Sequence, residues 1–209
     1  EERDPPLLAP VAPGPAYLLE HPRIPFISYP YEWSFSLLKK AALHHLDVQL
    51  AALDQGFTLS DATAYNVQFV GPKPIFIDHL SLRPYREGEM WIGHRQFCMQ
   101  FLNPLILWSR LGLAPNPWFR GALEGIAPEE LAPLLSWRDN FSWTILTHVT
   151  AQAKLQGRSV ESGLPTGKFR EARLPRASFR NMLLGLRHFV ESCRLPGSKT
   201  IWSDYAGNN

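Results

Sequence analysis

Only two cysteines occur in this 209-residue chain, Cys98 and Cys193, and both sit inside apolar, helix-like patterns without metal-type spacing. A single disulfide between them stays open from sequence; two buried free thiols in a reducing compartment is the simpler reading. No apolar run reaches 18 residues, which excludes a transmembrane helix and leaves no membrane role in view. The formal net charge is only +2, and no Lys/Arg run of the kind that tracks a phosphate backbone appears in the first 150 residues. Bulk charge therefore makes no case for nucleic acid. The opening residues 1–15 are rich in proline and acidic at the tip, unlike a signal peptide, so the expected compartment is the cytoplasm.

What is present is a folding composition: 45% hydrophobic and 19% charged residues, enough for one good core. Eight prolines fall within residues 1–30 and argue for an extended or looping start, because proline fixes φ and lacks an N–H. Residues 1–23 are read as a proline-rich extended segment, and 24–209 as a helical domain within a longer protein. Residues 24–29 have the pattern of an edge strand. Ser34 is a plausible N-cap, and Leu37, Leu38, Ala41, Ala42, Leu46, Leu50 and Leu53 carry helical spacing over 34–55, with Gly56 as the stop. Two short strands are predicted at 67–70 and 75–77, joined by Gly71-Pro72-Lys73-Pro74, with the prolines barring the turn from the ladder. Further helices are predicted over 91–111 with a kink at Pro104, 128–135, 142–155 and 175–193. The fold class is α+β, predominantly α-helical, with a small β-hairpin.

The chemically legible stretch is Asp61, Asn66 five residues on, then a hairpin, then Asp78 after Ile75-Phe76-Ile77. Phosphoryl transfer asks for such a set: a carboxylate for the proton of the attacking hydroxyl, an amide oxygen on a metal ion, and a second carboxylate bridging metal and phosphates. A hard ion such as Mg²⁺ prefers these oxygen donors. The hairpin returns the chain, so that Asp78 can approach Asn66.

On these residues the sequence resembles the C-terminal lobe of the protein-kinase-like superfamily, especially its small-molecule phosphotransferase branch. The resemblance implies Asp61 as catalytic base, Asn66 and Asp78 as metal ligands, the 34–55 helix as support for the loop, and Phe26–Pro30 as an adenine-facing hinge. It also implies Mg²⁺ and ATP as cofactors of the complete protein. Leu59 stands where the family has a histidine, no glycine follows Asp78, and the glycine-rich N-terminal lobe has no counterpart here.

A second resemblance covers more of the chain. Ser28-Tyr-Pro-Tyr-Glu-Trp-Ser34, Asn66-Val-Gln-Phe69, Ile77-Asp78, Arg95-Gln-Phe-Cys98 and Trp202-Ser-Asp-Tyr205 resemble the region ahead of the methyltransferase domain in a group of bacterial SAM-dependent methyltransferase-type proteins, some of them nodulation-related. It implies a following methyltransferase domain as partner, with SAM bound only there. No two glycines of this chain are separated by a single residue, so the usual glycine-rich SAM turn is missing. Two roles remain open: a kinase-like Mg-nucleotide site, or a catalytically silent scaffold that positions substrate.

Weaker signals are given bland readings. The stretch 163–168 only imitates a phosphate loop. His44, His45 and His79 lack partners at metal spacing. Arg83, Arg86 and Arg95 are read either as contacts for anionic substrate groups or as partners of acids such as Glu87 and Glu89. The arginines from Arg170 to Arg194 read as a solvated face or a docking surface, and Trp91, Trp108, Trp118, Trp137 and Trp143 as core.

Overall fold

A computed structural model describes residues 21–155 and 173–197. Its elements are α1 (Phe35–Asp54), β1 (Phe57–Leu59), β2 (Val67–Val70), β3 (Lys73–Phe76), β4 (Leu82–Pro84), α2 (His94–Phe97), α3 (Asn103–Leu111), α4 (Asn116–Gly121), α5 (Pro128–Leu131), α6 (Trp143–Ile145) and α7 (Arg176–Ser192), with short 3₁₀ and π turns between them. The fold is α+β and mainly helical. The proline-rich segment up to residue 20, the 163–168 stretch and Trp202–Tyr205 lie outside the described residues.

Helix α1 starts where the sequence places it, with the Ser34 hydroxyl accepting the Leu37 amide at 3.4 Å. Its fully buried Leu38, Ala41, Ala42, Leu46 and Leu53 form the stripe that anchors the core. Helix α7 lies along α1 and buries Phe179, Leu183, Leu186 and Val190. Of the arginines read as a solvated or docking face, three tie these two helices together, while Arg194 caps the end of its own helix and Arg170 lies outside the described residues. Arg187 pairs with Asp47 at 2.7 Å, Arg180 with Asp54 at 3.3 Å, and Arg176 donates to the Leu53 carbonyl. Lys39 of α1 donates to the Glu191 and Cys193 carbonyls, which the end of α7 leaves without amide partners. The pairs are half-exposed, so each fixes alignment more than it adds stability.

The hairpin forms, with one correction to its register. β2 pairs with β3 as Val67↔Phe76, Gln68↔Ile75, Phe69↔Pro74 and Val70↔Lys73, so Pro74 belongs to the ladder. Val70 and Lys73 close a two-residue turn at Gly71 (φ +56), and bonded and unbonded pairs then alternate. Pro74 occupies an unbonded position, where its missing N–H faces away from the partner. The alternation continues to the amide of Ile77, which donates to the Asn66 carbonyl at 2.9 Å.

A second two-stranded sheet, not predicted from the sequence, joins β1 to β4. Each strand is three residues long, too short to show a period. β1 is held instead by the buried Gln49 of α1, whose side chain accepts the Leu59 amide at 2.9 Å and donates to the Thr58 hydroxyl at 3.1 Å. The stretch 24–29 forms no strand. Its backbone at Ser28 bonds both ways to the side-chain amide of Gln68, at 3.0 and 3.1 Å, so a side chain takes the place of a neighbouring strand.

The helix over 94–111 passes Pro104 without a break because residues Cys98–Leu102 form a π turn. In that register the Asn103 amide reaches back to the Cys98 carbonyl, and the next amide in line would belong to residue 104. Proline has none, which would orphan the Met99 carbonyl. The amide of Ile126 fills the gap at 2.9 Å, and Asn103 Nδ2 holds the Ile126 carbonyl at 2.8 Å. A second π turn, Leu146–Thr150, follows α6 and runs into helical residues 151–155.

Candidate functional site

The loop between β1 and β2 is tied down at nearly every residue. Asp61 Oδ1 accepts the Thr63 amide at 2.9 Å, an Asx turn that shapes the loop from within. Gln96 accepts the Ala62 amide at 2.9 Å; Gln100, one helical turn on, accepts the Ala64 amide at 2.7 Å and the Thr63 hydroxyl at 2.8 Å. Gly93 lets the helix start come this close, since a Cβ there would sit 2.8 Å from the Ala62 methyl.

The hairpin brings Asn66 and Asp78 together. Asn66 Nδ2 donates to Asp78 Oδ2 at 3.1 Å, and Asp78 Oδ1 accepts the Leu80 amide at 3.1 Å as the cap of a 3₁₀ turn. Asp61 is turned to its own loop. Asn66 and Asp78 thus sit side by side at a partly exposed position, with the asparagine NH2 and not its oxygen facing the carboxylate, while His79 stacks on His21 with ring centroids 5.0 Å apart. Because asparagine keeps the Oδ1 acceptor for Thr63, Asp61→Asn is expected to hold stability within about 0.5 kcal/mol of wild type, while Asp61→Ala loses about 1 kcal/mol. Urea unfolding of the two variants measures the difference.

The same helix that braces the loop carries a second cluster on its other face. Gln96 and Gln100 point to the loop; His94 and Cys98, also one turn apart, point to the π turn after α6. There His94 Nε2 lies 2.8 Å from His148 Nδ1 and 3.7 Å from Cys98 Sγ, and the three donor atoms all fall within 4.8 Å of one another. Gln152, one turn beyond His148, places its amide 3.2 Å from His94 Nδ1. Burial, aided by the neighbouring His148, pushes His94 down to about 3, and burial alone takes His148 to about 4. Burial also lifts the Cys98 thiol to about 12, so all three groups are neutral at pH 7 when no cation is bound. The i, i+4 spacing of His94 and Cys98 is visible in the sequence, but nothing in a linear reading points across to His148. Both cysteines are free and buried.

Arg83 pairs with Glu89 at 2.9 Å as expected, whereas Arg95 reaches Glu129 at 3.4 Å. Trp91 is buried, as the core reading holds. Trp137 and Trp143 are not: they are 69% and 75% exposed, beside Phe141 at 80%.

A helical α+β unit with a braced polar loop and a partly buried His-Cys-His cluster is thus the class that the structure defines. No family model matches the chain, and no solved structure matches it. It is similar to the nodulation protein NoeA of Rhizobium meliloti (strain 1021), with 49% identity over 196 residues. The match takes in 93% of this chain but 41% of that protein, so the chain spans less than half of its relative's length. The relation to a nodulation protein therefore runs through nearly all of the sequence described above. Among the described residues no helix is long and apolar enough to cross a membrane.

Proposed function

We propose that this chain is the non-SAM-binding part of a longer, methyltransferase-type nodulation protein, in which it positions substrate for the methyltransferase domain. The observation that carries this reading is the 49% identity to a protein of which the chain spans only 41%. The missing glycine-rich turn agrees with a role that leaves the cofactor to another domain. The braced 60–66 loop supports it too, since Gln96 and Gln100 hold its backbone in one shape, which is what positioning requires. Trp137, Phe141 and Trp143 add an exposed aromatic surface of the kind that a neighbouring domain covers.

A second reading, the kinase-like one, is favoured by the single contact between Asn66 and Asp78. In it these two side chains hold Mg²⁺, the Asn66 amide presenting its oxygen, and Asp61 acts as base; the ion would neutralise charge on the nucleotide phosphates. Calorimetry separates the readings. The chain by itself is expected to give no heat with SAM and none with Mg-ATP, while the full-length protein binds SAM. SAM binding by this chain alone overturns the first reading. Mg-ATP binding that Asp78→Asn abolishes establishes the second.

A further inference from the structure

We infer that His94, Cys98 and His148 form a binding site for one zinc-class divalent cation, with the fourth coordination position open. The donors are two imidazole nitrogens and one sulfur, the set that a borderline-soft ion prefers and that Mg²⁺ and Ca²⁺ avoid. Their spacing agrees. Tetrahedral zinc, with Zn–N near 2.0–2.1 Å and Zn–S near 2.3 Å, holds its ligand atoms about 3.3–3.6 Å apart. The structure has 2.8 Å between the two nitrogens, 3.7 Å between His94 Nε2 and Cys98 Sγ, and all three donor atoms within 4.8 Å of one another, so the first contact opens by about half an ångström as the three atoms close around an ion.

Hydrogen bonding serves the cluster poorly without an ion. His94 Nε2 faces both other donors and carries at most one proton. If it donates to His148 Nδ1, it cannot accept the Cys98 thiol proton; if it accepts one neighbour, the other goes without. One cation satisfies all three lone pairs together. Binding exchanges the thiol proton for the metal: Cys98 S–H and the hydrated ion become Cys98 S–metal, and the proton passes to solvent with the displaced water.

The surroundings are those of a metal site. His94 ligating through Nε2 must keep its proton on Nδ1, and the side-chain amide of Gln152 stands against that atom, placed with its nitrogen Nε2 at 3.2 Å. With the Gln152 amide turned to present its oxygen, it accepts that proton and fixes both tautomer and ring orientation. Cys98 opens one π turn and His148 sits inside the other, so both helices depart from α geometry where their side chains converge. Three protein ligands with one position left to water is the arrangement of reactive zinc sites and not of closed structural ones.

The test uses the whole 209-residue chain, stripped of metal and titrated with Zn²⁺, Co²⁺ and Mg²⁺ in separate runs. One Zn²⁺ per chain is expected, with a rise in Tm and no response to Mg²⁺. Co²⁺ should give tetrahedral ligand-field bands and a sulfur-to-cobalt charge-transfer band. Cys98→Ser should lose that band, and Cys193→Ser should keep it. Gln152→Ala should weaken zinc about 10–100-fold with its stoichiometry unchanged. His148→Gln, checked by circular dichroism for native helix content, should lose tight binding. Absence of zinc binding by the wild-type chain overturns the site, as does a charge-transfer band that survives in Cys98→Ser or disappears in Cys193→Ser.

Discussion

Gly125→Ala is expected to destabilise the protein by about 3–4 kcal/mol. Gly125 has φ +88, a conformation that costs an L-residue about 1–2 kcal/mol. An added Cβ would also lie 2.3 Å from the Met99 carbonyl oxygen and 2.7 Å from its carbon, and both are backbone atoms that cannot swing aside. The loop must then back away, and the bond from the Ile126 amide to Met99 goes with it. That bond serves the carbonyl that Pro104 leaves without a partner, so losing it exposes a buried acceptor at about 1–3 kcal/mol. For a chain of this size the loss corresponds to roughly 10 °C in Tm. Gly121→Ala is the control, because a Cβ there meets nothing within 4 Å. A Gly125 variant that melts with the control would mean that the 125–126 loop does not brace the π turn.

His45→Leu is expected to stabilise the protein, and to do so more as pH falls. The imidazole is fully buried among Phe76, Trp91, Phe97 and Phe101, and neither ring nitrogen has a hydrogen-bond partner among the described residues. Burial, with a smaller push from His44, takes its pKa from 6.5 down to about 3. In the unfolded chain His45 takes up a proton as pH drops through about 6.5, while in the folded chain it stays neutral until about 3. Between these values the unfolded state binds more protons, so stability present above pH 6.5 declines by about 1.4 kcal/mol per pH unit for this group. From pH 7.5 to pH 5 the loss is about 2 kcal/mol. Leucine removes two unsatisfied polar atoms, a gain of about 1–3 kcal/mol at pH 7.5, and removes this share of the acid sensitivity as well. Urea unfolding of both proteins at pH 7.5 and 5.0 measures it. Equal slopes with pH would show that His45 finds a partner or reaches solvent.

How much of this was legible in the sequence depended on the range of the interaction. Local signals carried well. Ser34 capped α1 because the hydroxyl needs only the Leu37 amide three residues away, and α7 appeared within one residue of its predicted start because its apolar spacing is self-contained. The hairpin was visible, yet its prolines were assigned wholly to the turn. Only the alternation of bonded and unbonded pairs shows that Pro74 lies inside the ladder at no cost. Asn66 and Asp78 were expected near each other for the same reason, as the intervening turn is short.

Composition and periodicity determined by themselves that the chain is α+β and mainly helical, with no apolar run of 18 residues. Tertiary structure decided the rest. The β1–β4 sheet depends on Gln49 from a different element, and three-residue strands carry no pattern that a reader can see. Pro104 announced a disturbance, but whether it meant a kink or a π turn rested on the Ile126 amide supplied from another loop. Arginines that look solvated on a helical wheel proved to meet the acids of α1, because a wheel shows which face a residue occupies and not what lies opposite. Trp137 and Trp143 stayed outside a core that their size would suit, since burial is settled by the elements that pack over a side chain. His148 reaches His94 and Cys98 only because the fold sets the π turn after α6 beside α2. A contact between residues more than fifty positions apart leaves no trace in local spacing, and such contacts are what folding adds.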